Sequence, residues 1–169
     1  MTLDTIAREL RVLFVMPNGN LDGAHATPVD WRAEYPDFLL RQEAALLDPA
    51  TALNVLIVGS LARWDATFNA QRFQNDPAEQ PIARRNQPLP FNRSGPSVGG
   101  AIKPELVDHG GNYAVNARAA NRPIARQGLG ELSTCKDFAA GRLFAEGQVR
   151  VSRLRKWSSG SYGRTLWLV

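Results

Sequence analysis

Apolar residues near the start of the chain recur at helical spacing, at Leu3, Ile6, Leu10 and Leu13. Thr2 is placed to cap such a helix, and Asp4 and Arg8 form an i,i+4 pair on its other face. From Arg11 to Met16 the pattern changes. Val12-Leu13-Phe14-Val15 is continuously apolar, as in a short buried strand. A helix over residues 3–10 running into a strand satisfies both signals. Pro17-Asn18-Gly19-Asn20 then stops the element, with Asn18-Gly19 a strong turn dipeptide. Residues 21–35 read as irregular chain.

Pro36 at a first-turn position, followed by Asp37, opens a helix to about Leu47 with Leu39, Leu40, Ala44 and Leu47 on one face. Asp48-Pro49 ends it. Between Ala50 and Phe73 two readings compete. Leu53, Ile57, Leu61, Trp64 and Phe68 recur at helical intervals and favour one long amphipathic helix. Alternatively, Asn54–Val58 is a buried strand that turns at Gly59-Ser60 into a later helix.

Residues 76–130 carry 7 of the 11 prolines, 7 glycines and no Trp, with Phe91 and Tyr113 as their aromatic residues. Connections in compact domains usually run to about 4–6 residues, so this stretch reads as an extended arm held by other chains. Beyond Gly130, Thr134-Cys135-Lys136-Asp137 resembles a capping box, and Phe138, Ala139 and Leu143 give a short helix near 135–146. Gly147 is its stop. Gln148–Trp157 and Arg164–Val169 then read as a hairpin. The fold class expected is α+β, in three parts. Residues 1–75 form an acidic, helix-rich region, 76–130 the Pro/Gly-rich arm, and 131–169 a basic helix and β-hairpin.

Charge sharpens this division. Residues 1–80 hold 6 Arg and no Lys against 11 acids, and residues 81–169 hold 14 Lys and Arg against 5 acids, so the halves carry −5 and +9. Such asymmetry suits either a polyanion on the basic half or contact between opposite faces of neighbouring copies. Arg outnumbers Lys 17 to 3, and its planar fork fits carboxylate and phosphate alike. The densest cluster is Arg150, Arg153, Arg155, Lys156 and Arg164 beside Trp157, a set suited to phosphates and stacked bases or to the acids of a neighbour, with Glu34, Asp37 and Glu43 as candidates.

Candidate chemistry is thin. Leu56-Ile57-Val58-Gly59-Ser60 has the look of a strand and turn of a dinucleotide fold, but that motif needs three glycines and Gly59 stands alone. His109, in Val107-Asp108-His109-Gly110-Gly111, is weighed as a loop general base and set aside as a surface histidine, since neighbouring positions do not generally make a catalytic pair. His25 is the other imidazole, and neither belongs to a metal-ligand spacing. Cys135, the single cysteine, excludes an internal disulfide and reads as buried rather than reactive.

No catalytic residue, cofactor or metal is therefore expected. No signal peptide is visible, and the longest apolar run, Val55–Val58, is far too short to span a bilayer, which points to a virion or cytoplasmic location. The function expected is a structural or adaptor subunit of a multi-subunit assembly such as a phage or virus particle. Its partners would be other copies of itself or other subunits. The alternative is a nucleic-acid-binding module that uses the basic C-terminal segment.

Overall fold

A computed structural model describes residues 2–21, 30–73, 76–118, 122–132 and 146–147. The first helix, α1 (Leu3–Leu10), forms where its cap and periodicity place it. The Thr2 side chain accepts the Thr5 N–H, and Arg11 closes the other end in the left-handed region at φ 50°, its N–H on the Ala7 carbonyl. Leu3 packs beside Leu46, Ala50, Val55 and Ile57, while Leu10 and Leu13 stay exposed. Asp4, expected to pair with Arg8, instead accepts the Asn54 N–H at 2.6 Å and ties the helix to the strand that begins next to it.

That strand is the centre of the molecule. β1 (Phe14–Pro17), β2 (Val55–Ala62) and β4 (Leu106–Gly110) form a parallel sheet in the order β1-β2-β4. Phe14 stands opposite Val55, and Val58 opposite Leu106. The long helix expected over 50–73 is thus wrong, and the strand reading of its first part is the correct one. A central parallel strand is covered on both faces, so its sequence is apolar without alternation. Val55, Ile57, Val58, Gly59, Ser60 and Ala62 are all buried, and Ile57 is fully so. Gly59 lies inside the strand rather than at a turn. A Cβ there would meet the Pro104 ring at 2.8 Å, so glycine permits the close approach of the chain entering β4.

The helix expected from Pro36 to Leu47 is replaced by two 3-10 turns, Asp37–Leu40 and Gln42–Ala44. Arg41 between them is extended, at φ −74° and ψ 156°. The break turns Phe38 and Leu39 together into the core and leaves Leu40 and Leu47 exposed. Trp31 meets Phe38 edge to face, with ring centroids 5.2 Å apart, in a cluster with Leu21, Ile82 and Val115.

Residues 76–130 were expected to be an arm held by other chains. Their described part instead contributes heavily to this chain's own interior. Ala83, Leu89 and Phe91 pack with Ala62, and Phe91 meets Tyr113 at 4.7 Å. Short strands β3 (Gln80–Pro81), β5 (Ala114–Val115) and β6 (Pro123–Ile124) make a second, antiparallel sheet. Backbone bonds reach far along the chain: Ile82 N–H to the Tyr113 carbonyl at 2.9 Å, Asn112 N–H to Leu129 at 2.7 Å, and Phe68 N–H to Gln127 at 3.0 Å. A prolyl stretch can be ordered by such non-local pairing, which composition does not reveal. Finally, β7 (Glu131–Leu132) pairs with β8 (Glu146–Gly147). The architecture is mixed α+β. The helix expected near 135–146, apart from its last residue, and the C-terminal hairpin lie outside the described residues.

Candidate active site

In open parallel sheets, ligands bind beyond the carboxyl ends of the strands. Here those ends bring together Asn18 and Asn20 after β1, Trp64 after β2, and His109 and Asn112 at and after the end of β4. Four asparagines populate this edge when Asn92 is included, and the side-chain amides of three of them donate to main-chain carbonyls. The Asn18 amide donates to the Arg93 carbonyl at 2.6 Å. That of Asn92 donates to the Ser60 carbonyl at 2.6 Å. Asn112, almost wholly buried, donates to the carbonyls of Ala83 and Trp64 at 2.7 and 3.1 Å and accepts the Tyr113 N–H at 2.8 Å.

Asn20 differs. Its backbone is held: it bridges Asn92, its carbonyl accepts from Arg93 Nε at 3.0 Å, and the next N–H, of Leu21, reaches the Phe91 carbonyl at 2.7 Å. Its carboxamide oxygen is buried and has no hydrogen-bond partner among the described residues. The backbone is therefore rigid, and of the carboxamide it carries the oxygen is an acceptor and the Nδ2 group the donor. The turn that delivers it needs Gly19, at φ +84°, where a Cβ would also press on Arg93 Cδ at 3.3 Å.

His109 lies in β4 and not in a surface loop. Its Nε2 is 3.0 Å from the Asn86 side-chain oxygen, and its own N–H is bound by the Asp108 carboxylate at 2.7 Å. The imidazole therefore faces an amide, and the described residues bring neither a carboxylate nor a serine hydroxyl to it. Cys135, His25 and the six basic-segment residues singled out from the sequence (Arg150, Arg153, Arg155, Lys156, Trp157 and Arg164) lie outside the described residues. Glu34, considered as a contact for a neighbour, is engaged within its own chain. The Asp30 N–H holds its carboxyl below the usual range, and Arg41 pairs with it.

Two buried or half-buried groups shape the surroundings. Burial pushes the Tyr35 hydroxyl up to about 12, and the group donates to the Pro88 carbonyl at 2.6 Å. Partial burial raises Glu105, but hydrogen bonds from Lys103 and the Ile57 N–H outweigh it and leave the carboxyl below its ordinary value. No group of three or more His, Cys, Asp or Glu able to hold a metal ion occurs among the described residues. No helix among them is long and apolar enough to cross a membrane.

The polar turn at the carboxyl edge of this parallel sheet lies where such sheets place their ligand sites. The profile of the Subtilase family, Peptidase S8, matches residues 1–148, and the chain belongs to that family. An uncharacterized protein of Sinorhizobium fredii (strain NBRC 101917 / NGR234), y4bN, is 44% identical over 111 residues, 65% of this chain and 25% of that protein. The chain thus spans about a quarter of the length of this relative. No solved structure matches significantly.

Family membership overturns the expectation of a structural or adaptor subunit of a virus particle, and with it the expectation of a non-enzyme. Serine-peptidase centres are assembled from side chains far apart in the chain, so short motifs are a poor guide to them. Asn20 was read only as part of a turn. The strand Val12–Val15 and the turn Asn18-Gly19-Asn20 were both legible, but nothing in their spacing marks Asn20 for chemistry.

Proposed function

We propose that the chain serves peptide-bond hydrolysis by a serine peptidase of the subtilase type, and that Asn20 supplies a donor to the oxyanion of the tetrahedral intermediate. The observation behind this reading is the place of Asn20 beyond the carboxyl end of a parallel strand, on a backbone held by Asn92 and Arg93, from which its Nδ2 group is the donor. Acyl transfer places negative charge on the former carbonyl oxygen, and a side-chain amide held ready for it stabilises the transition state more than the substrate. In subtilisin-type enzymes the orienting acid, the base and the nucleophile follow along the chain as Asp, His and Ser. The described residues do not bring these three together; their part in this reading is the oxyanion edge.

The test is hydrolysis of a fluorogenic peptide library by the full chain, with a fluorophosphonate as the probe for a reactive serine. Asn20→Ala should lower kcat by about 10²–10³, the cost measured for loss of one such donor in subtilisin, with little change in KM. A wild-type chain that neither hydrolyses nor labels refutes the reading. Contact of the Arg150–Arg164 segment with nucleic acid or with other subunits stands as a separate proposal supported by charge alone. Retention on DNA that falls with salt would support it, and indifference to salt would remove it.

A further inference from the structure

We infer that Arg93 is the positioning residue of the oxyanion site, clamping the turn that carries Asn20; this rests on the oxyanion reading of Asn20. The side chain is half-buried and spends its donors on main-chain carbonyls. Nε donates to Asn20 at 3.0 Å, and Nη1 to Glu43 and Ala45 at 3.0 and 2.8 Å. Its backbone joins the same turn: the Arg93 N–H reaches the Gly19 carbonyl at 3.3 Å, and its carbonyl accepts the Asn18 amide. Asn18, Gly19 and Asn20 are thus all bound to one residue more than seventy positions away.

The geometry selects this residue type. Three carbonyls, two of them on a different segment from the third, must be met at once by donors in a fixed plane. A guanidinium does this and an ammonium does not. Gly19 completes the fit, since the Arg93 side chain lies where any Cβ at that position would press. With the Asn20 carbonyl pinned, the direction of its Cα–Cβ bond is set, and the carboxamide is aimed before substrate arrives. A donor misplaced by about 1 Å can cost on the order of a hundredfold in rate. The clamp also couples the site to the 43–45 segment, where Ser94 N–H binds the Ala44 carbonyl at 2.8 Å and continues the same seam.

The experiment compares Arg93→Lys, Arg93→Met and Asn20→Ala in the full chain, reading kcat, KM and the affinity of a peptide boronic acid, which mimics the tetrahedral adduct. Both Arg93 variants should lower kcat and boronate affinity in parallel, by about ten- to a hundredfold, with KM within about twofold. Methylguanidinium should restore part of the loss in Arg93→Met. Unchanged kcat and boronate affinity in Arg93→Lys, beside a loss in Asn20→Ala, would overturn the clamp and leave the oxyanion reading standing. No effect in Asn20→Ala would remove that reading itself. A readout independent of turnover is the Asn20 carboxamide NMR signal. Arg93→Lys should shift it and speed exchange of the Leu21 N–H while the amides of β2 stay unchanged. A carboxamide signal identical to wild type refutes the clamp even in a chain that hydrolyses nothing.

Discussion

Replacing Lys103 by Met tests how the parallel sheet is pinned. The Lys103 side chain is 2% exposed, yet its ammonium has two partners: the Val55 carbonyl at 2.5 Å and the Glu105 carboxylate. The other Glu105 oxygen accepts the Ile57 N–H at 2.8 Å, and the Glu105 N–H donates to the Ile57 carbonyl at 3.1 Å. One ion pair therefore satisfies the open main-chain groups at the start of β2, on the side where β4 joins it. Met matches the stem of lysine but offers no donor. Each hydrogen bond to a charged group is worth about 1.5–3 kcal/mol, and an orphaned buried carbonyl costs about 1–3 kcal/mol.

The full sum overstates the loss. The Glu105 side chain is 31% exposed, so water replaces its lost partner, and the Met side chain gains apolar contact. The expected cost of Lys103→Met is then about 2–4 kcal/mol, read in urea as a midpoint lowered by about 1–2 M at an unchanged slope. A second change, Glu105→Gln, keeps the acceptor for Ile57 and removes the unpaired charge. The double variant should recover on the order of 1 kcal/mol relative to additivity. The pH dependence has a defined sign. Glu105 has a lowered pKa in the folded state, so its contribution is fully present above the ordinary carboxylate value of about 4.3 and is lost as pH falls through the folded value. Acid should therefore destabilise the wild type more steeply than Lys103→Met below about pH 4. A cost under about 0.5 kcal/mol, with identical acid limbs, would refute the pinning argument.

Gly128→Ala should destabilise by about 2 kcal/mol or more in the same assay, because the residue sits at φ +91° and a Cβ would lie 2.8 Å from the Phe68 nitrogen. Tyr35→Phe bears on the alkaline limb. The raised Tyr35 value means that its contribution is intact below about pH 10 and lost as pH rises toward 12, so the variant should show a flatter decline there by fluorescence-monitored unfolding.

Local signals carried the first twenty residues. Thr2, the helical spacing to Leu10 and the Asn18-Gly19 turn are short-range features, and each acts where the sequence places it. Periodicity failed at Val55–Ala62. A strand buried on both faces is apolar throughout, so the intervals from Leu53 to Phe68 matched a helix by chance. Only the flanking strands β1 and β4 decide the matter, by offering parallel hydrogen-bond partners along both edges. The 76–130 stretch shows the same limit. Its prolines and glycines removed the local patterns, but burial of Leu89 and Phe91 and pairing with residues 62, 113 and 129 were set by distant chain.

The candidate site was the least legible part, for a reason of geometry. Asn20 is an ordinary turn residue until Asn92 and Arg93 are folded against it and fix its backbone at the end of the parallel strand. The sequence alone determined the charge division, the capped helix, the turn and the inventory of side chains able to do chemistry. The tertiary structure decided which carbonyls the guanidinium meets and which asparagine amides donate to the main chain at this edge. Those are distances between residues more than seventy positions apart, and spacing along the chain does not contain them.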